Sequence, residues 1–154
     1  SQTNQLLSTS IRDNIALANP DASDEQIIRA AERSCAHHFI IDLPDGYATQ
    51  VGEGAQRFSA GQTKRIAIAQ ALLNAPPVLL LDEPTAELDR DSELRFVQTL
   101  KQLAKEHTVI VVTHSPFLLS HCNGILVMNK GKLMAAGPAT EILPKLGMNV
   151  ASNA

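Results

Sequence analysis

An aspartate and a glutamate, Asp82 and Glu83, follow directly on the apolar run Val78 to Leu81 and are closed off by Pro84. Four apolar residues without a polar break read as a strand buried on both faces, the mark of the middle of a parallel sheet. Packing does not explain two carboxylates at its end, because a buried charge needs a partner or a metal. The carboxyl end of such a strand is also where open α/β sheets bind their ligands. Asp82 offers the hard oxygen that a divalent cation takes, and Glu83 can accept a proton from water. Pro84, with no N–H for the ladder, stops the strand. A second apolar run, Thr108 to Thr113, delivers His114 at its own carboxyl end, level with Glu83. There its side chain is placed to contact a ligand bound at the strand ends. Ser59, Ala60, Gly61 and Gln62 open a helical pattern. Unpaired N–H groups, a hydroxyl and a closely approachable glycine at a helix start favour an anion. Plainer accounts stand beside these: two exposed acids at a strand end, a polar strand terminus, and a serine that only caps its helix.

The elements that must position these groups are legible in outline. Ile11 to Leu17 form a short apolar-spaced segment. Ser23 with Gln26 is a capping-box pattern, opening a helix through Ile27 to His38 with Ile27, Ile28, Ala31 and Ser34 or Cys35 on one face. Ser59 reads as the N-cap of a helix whose apolar positions are Ile66, Ile68, Ala69 and Leu72 or Leu73, with Asn74 to Pro77 as the stop. A further helix runs from about Asp91 to Lys105, with Leu94, Val97, Leu100 and Leu103 facing inward. Ser115 and Pro116 open a short helix as cap and first residue. Gly124 to Met128 and Lys132 to Gly137, joined by Asn129 to Gly131, read as a hairpin. Thr140 to Leu146 is a last short helix and Asn149 to Ala154 a frayed tail. The order implies an α/β fold in which a parallel-sheet core is preceded by a helical insertion.

Bulk composition narrows the class. The 154 residues suffice for one domain with a real core. With 44% hydrophobic and 19% charged residues the chain is an ordinary globular one rather than a disordered one. Thirteen Lys and Arg against sixteen Asp and Glu give a net charge of −3, and only 3% of residues are aromatic. That balance argues against nucleic acid as a partner. Cys35 and Cys122 stand apart without metal spacing and read as reduced, buried structural thiols. His37, His38, His107 and His121 lack the placement of His114 and read as solvated or packing residues. No apolar run approaches membrane-spanning length. The first residues carry no initiating Met, and further sequence is expected upstream.

Taken together and in order, these motifs resemble the ATP-binding-cassette (ABC) ATPases, and the resemblance covers essentially the whole chain. Val78 to Glu83 resembles the Walker B strand, and Phe58 to Gln62 the family's signature motif. Thr85 to Asp89 resembles its D-loop, His114 its switch histidine and Gln2 its Q-loop glutamine. Thr49 to Gly54 is similar to the segment that ABC exporters carry just ahead of the signature. The resemblance implies a partial P-loop (RecA-like) core with parallel strands plus an ABC α-helical subdomain. It divides the chain into a Q-loop segment (1–10), a helical subdomain with the signature (11–77), the second part of the ATPase core (78–138) and a C-terminal helix and tail (139–154).

By the same resemblance the cofactors are ATP and Mg²⁺. Asp82 and Gln2 would serve the metal, Glu83 and His114 catalysis, and Gln2, Ser59, Ala60, Gly61, Gln62 and Asp89 the nucleotide. The implied partners are a second nucleotide-binding domain, head to tail, and the transmembrane domain of an exporter, reached through Thr49 to Gly54 and the Gln2 region. The implied location is the cytoplasmic face of the bacterial inner membrane. The ending from Thr113 to Leu143 looks like exporters of the type I secretion kind, with peptides or proteins as cargo.

The sequence also departs from the family. Phe58 stands where Leu is usual, Ala60 where the first signature Gly is usual, and Gly54 and Ala55 where Arg and Gly are usual. If position 60 needed a positive φ, Ala60 would be strained there. No G-x-x-x-x-G-K-[ST] phosphate loop occurs, and the eight glycines cannot be arranged into one. The expectation is therefore a C-terminal piece of a longer cassette that would not turn over ATP alone, with an exposed sheet edge prone to aggregation. The alternative is a non-catalytic module that lends its signature surface to a partner's phosphate loop.

Overall fold

The computed structural model describes residues 6–52, 57–86 and 88–148. Gln2 and the tail from Asn149 therefore lie outside the described residues, as do Glu53 and Gly54 of the exporter-like segment and Glu87 of the D-loop. The chain divides into two compact units, Ser1–Leu80 with Glu87–Ile110, and Leu81–Ala86 with Val111–Ala154.

The first unit is mainly helical. Helix α1 (Ile11–Ala16) is capped by Ser10, and α2 (Asp24–Arg33) carries the full Ser23/Gln26 capping box. Helix α3 (His37–Ile41) and a 3₁₀ turn at Gly46–Ala48 follow, then α4 (Ala60–Leu72) and α5 (Arg90–Leu103). Ile11, Ile15, Ile27, Ile40, Ile66, Ala69 and Phe96 are almost wholly buried, and α4 packs against both α1 and α2. The expected helix from Ile27 to His38 is broken. Ala36 N–H donates to Ala31 O and Cys35 N–H to Glu32 O, with Cys35 at φ 58. This is a Schellman ending with cysteine in the place glycine usually takes. It turns Cys35 outward, so that thiol is exposed rather than buried, and Cys122 is only half-buried. On α5, Phe96, Val97, Leu100 and Leu103 are buried as the inward face, but Leu94 is exposed.

Strands β1 (Val78–Asp82) and β2 (Thr108–Val112) pair with each other, and the boundary between units falls within both. They run parallel: Thr108 N–H donates to Pro77 O where the strands begin, and Glu83 N–H to Val112 O where they end. The expectation of burial on both faces is not met. Leu79 is buried, but Val78, Leu80, Ile110 and Val112 alternate onto a face that is open among the described residues. The period of two decides which residues share that face.

In the second unit, α6 (Pro116–Leu119) is capped by Ser115 with Pro116 at its first position. The antiparallel hairpin β3 (Gly124–Asn129) and β4 (Lys132–Pro138) turns at Lys130 and Gly131. Both have positive φ, the two-residue turn whose twist matches a hairpin. Helix α7 (Ala139–Lys145) packs Ile142 and Leu143 against Ile125.

Candidate functional site

The structure brings Glu83 and His114 together at the paired ends of β1 and β2. Asp82 is the last residue of β1, and its side chain stands exposed there. Glu83 then leaves the strand with φ 41, a left-handed conformation uncommon for a residue with a side chain. Its N–H is fixed by Val112 O at 2.8 Å. The backbone break also interrupts the strand's alternation, so Glu83 need not face opposite to Asp82. Its carboxylate accepts two long contacts from the end of the neighbouring strand, Thr113 Oγ1 and His114 N–H, each at 3.4 Å. The imidazole Nε2 lies 3.7 Å from the other carboxylate oxygen, with the His114 side chain 98% exposed. The result is a carboxylate held in orientation by the next strand while the ring beside it stays open to a ligand.

Thr113 was not singled out from the sequence. Besides Glu83 it serves Ser115, whose N–H donates to Thr113 Oγ1 at 3.0 Å, linking the carboxylate to the α6 cap. Its signal was only its place, a hydroxyl ending an apolar strand beside the histidine.

In the other unit, Ser59 Oγ accepts from Gln62 N–H at 3.2 Å, and Gln62 Oε1 from Ser59 N–H at 2.9 Å, a complete capping box on α4. Ala60 is the first residue of that helix and has no positive φ, so replacing the usual glycine costs no backbone strain. Gly61 is also helical in place. A Cβ there would meet Leu88 at 3.6 Å and Ser92 at 4.0 Å, ordinary contacts. Phe58 finds an aromatic partner in Phe39, with ring centroids 6.2 Å apart. Asp89 caps α5, accepting from Ser92 N–H and Ser92 Oγ at 2.8 Å each. Those two bonds, the backbone one first, hold its carboxyl below the usual carboxylate range. Both oxygens are thus engaged in holding the helix start beside Gly61.

Among the described residues no group of three or more His, Cys, Asp or Glu is gathered to hold a metal by itself. No described helix is long and apolar enough to cross a membrane.

Comparison with known proteins points to one family. The family model described as ABC transporter matches residues 1–86. A Staphylococcus aureus (strain COL) protein named "Putative multidrug export ATP-binding/permease protein" is 40% identical over 146 residues, covering 95% of this chain and 25% of that one. Its counterpart in Staphylococcus aureus (strain bovine RF122 / ET3-1) is 39% identical over the same shares. Among solved structures, a bacterial Atm1-family ABC exporter with ATP bound superimposes with TM-score 0.81 at 34% identity, covering 95% of this chain and 26% of that one. The chain thus spans about a quarter of the length of the relatives it matches. With a family model over more than half its residues and an exporter's fold over nearly all of them, the chain belongs to the ABC transporter family.

Proposed function

We propose that this chain supplies the signature, Walker B and switch-histidine side of a cassette that hydrolyses ATP to drive export across a membrane. The observation that carries the proposal is the carboxylate of Glu83 held between Thr113 and His114, 3.7 Å from an exposed imidazole. In this reading ATP closes two cassettes head to tail. The start of α4 on one copy then faces the γ-phosphate bound by the other, where its N–H groups, Ser59 and the dipole stabilise negative charge. Glu83 takes a proton from the attacking water as its oxygen bonds to the γ-phosphorus and the bond to the β-phosphate oxygen breaks. His114 keeps that carboxylate oriented through its N–H and presents its ring to the γ-phosphate.

The exposed Asp82 carboxylate is the hard donor that Mg²⁺ takes, and Asp82 with Gln2 would hold it beside the phosphates, where the ion neutralises charge. The region from Thr49 to Gly54 and the Gln2 region face the transmembrane domain of the exporter at the inner membrane of a bacterium. The relatives' names favour multidrug export over the type I secretion kind.

The test is Glu83→Gln in the full-length protein that carries this chain. ATP binding should persist while turnover falls by at least about 100-fold, the contribution a positioned base makes. Undiminished hydrolysis would remove Glu83 from the mechanism.

A further inference from the structure

The stretch that follows Gln2 and the stretch that opens at Thr49 lie at opposite ends of the region from α1 to α4, yet their backbones are tied. Val51 N–H donates to Thr9 O and Ile11 N–H to Thr49 O, each at 3.0 Å, and Ser10 forms an antiparallel bridge with Gln50 between them. So short a pairing has too little apolar face to stand alone. Asn14 holds it. The residue is 3% exposed on α1. Its Oδ1 accepts from Leu7 N–H at 2.8 Å, while Nδ2 donates to Leu7 O at 3.0 Å and to Ser10 O at 2.9 Å. Only an amide of this length offers the acceptor and both donors at once. Thr9 Oγ1 adds a second tie to α1, donating to Asp13 Oδ2 at 3.0 Å. On the opposite side Gly52 sits at φ +127, and a Cβ there would meet Ser8 Oγ at 2.7 Å. The close approach of the two segments therefore requires glycine at that position.

We propose that Asn14 is a positioning residue: by fixing Leu7 and Ser10 against α1 it holds the segment following Gln2 in register with the one opening at Thr49, so that a shift of the first is carried to the second through their backbone bonds. The inference rests on the function proposed above, in which Gln2 attends the ATP site and Thr49 to Gly54 faces the membrane partner. Segments bonded to each other and to a buried amide move together, whereas two exposed segments would open to water independently.

Hydrogen exchange read by mass spectrometry on the full-length protein tests this, with and without ATP and Mg²⁺, using Glu83→Gln to keep the nucleotide uncleaved. In that parent, ATP should slow exchange both at Ser59 to Gln62 and at Thr49 to Val51. Asn14→Asp keeps an acceptor for Leu7 but sets an oxygen against two carbonyls; Asn14→Ala removes the tie without repulsion. Each should abolish the ATP-dependent change at Thr49 to Val51 and retain it at Ser59 to Gln62, with the β3/β4 hairpin exchanging as in the parent. Gly52→Ala strikes the same contact while leaving α1 intact, and should give the same loss. An ATP-dependent change at Thr49 to Val51 that survives all three substitutions overturns the inference and leaves the role of Glu83 standing. No ATP-dependent change at Ser59 to Gln62 in the parent would instead overturn the functional proposal, and this inference with it.

Discussion

His114 and Glu83 meet at the ends of two adjacent parallel strands, with Nε2 3.7 Å from one carboxylate oxygen and the His114 N–H 3.4 Å from the other. The pairing depends on a backbone conformation that a glutamate adopts at some cost. Glu83 lies at φ 41, a region that costs a non-glycine residue on the order of 1 kcal/mol. The Val112 carbonyl, accepting the Glu83 N–H at 2.8 Å, helps hold it there. Strain concentrated on a carboxylate of this placement is consistent with selection for its chemistry rather than for stability.

That strain can be measured. In an ordinary strand or helix, alanine is more stable than glycine; at position 83 the order should reverse. Glu83→Gly should unfold with a free energy higher than Glu83→Ala by about 1 kcal/mol, since only glycine adopts positive φ without cost. Urea unfolding of the two variants decides the point. An alanine variant at least as stable as the glycine one would mean that position 83 is not strained.

His114 predicts the opposite separation of stability from activity. Its side chain is 98% exposed, so His114→Ala should change unfolding free energy by no more than about 0.5 kcal/mol. If the ring attends the γ-phosphate, the same substitution should lower ATP turnover in the full-length protein by about 100-fold, the scale of losing one aimed group in an active site. Thermal unfolding and steady-state hydrolysis on one preparation suffice. Turnover within a factor of two of wild type would make His114 only the donor of a backbone N–H.

Much of this was legible in the sequence because it is local. The Ser23/Gln26 capping box, the Ser59 cap, the Ser115-Pro116 helix start and the hairpin turn within Asn129 to Gly131 are set by residues within a few positions of one another. So is the delivery of Glu83 and His114 to strand ends. What escaped was set by contacts across the chain or by atypical residues. The Cys35 stop of α2 lacks the glycine that announces such an ending. His107, which read as solvated or packing, is buried, with Nδ1 2.5 Å from Pro76 O and Nε2 2.6 Å from Arg33. Since the carbonyl only accepts and the guanidinium only donates, Nδ1 carries the proton and Nε2 accepts. No spacing rule pairs Arg33 with His107. Asn14 is one polar residue in an apolar-spaced segment, and only the fold shows its amide turned onto Leu7 and Ser10.

Ser59 has two separable duties. As a cap it accepts from Gln62 N–H at 3.2 Å, and Ser59→Ala should cost about 1 kcal/mol of stability. Ser59→Asp caps equally well, but sets a negative charge where the proposed function brings a phosphate. It should therefore keep the stability of wild type while turnover in the full-length protein collapses. Equal activity of the Asp variant would reduce Ser59 to a cap alone.

Asp89 makes a prediction in pH. Its carboxylate is held down by the N–H and then the hydroxyl of Ser92. The native state therefore binds fewer protons than the unfolded chain near the ordinary carboxylate value of about 3.9. A depressed folded value gives stability that is complete above the unfolded one and is lost as pH falls through the folded one. Asp89→Asn keeps an equally good cap geometry but does not titrate. Wild type should thus exceed Asp89→Asn in unfolding free energy at neutral pH, with the gap closing as the solution is acidified below about pH 4. Urea unfolding across that range checks it. A gap that stays constant with pH would show that the carboxylate is not anchored to Ser92, and that the start of α5 beside Gly61 is held by other contacts.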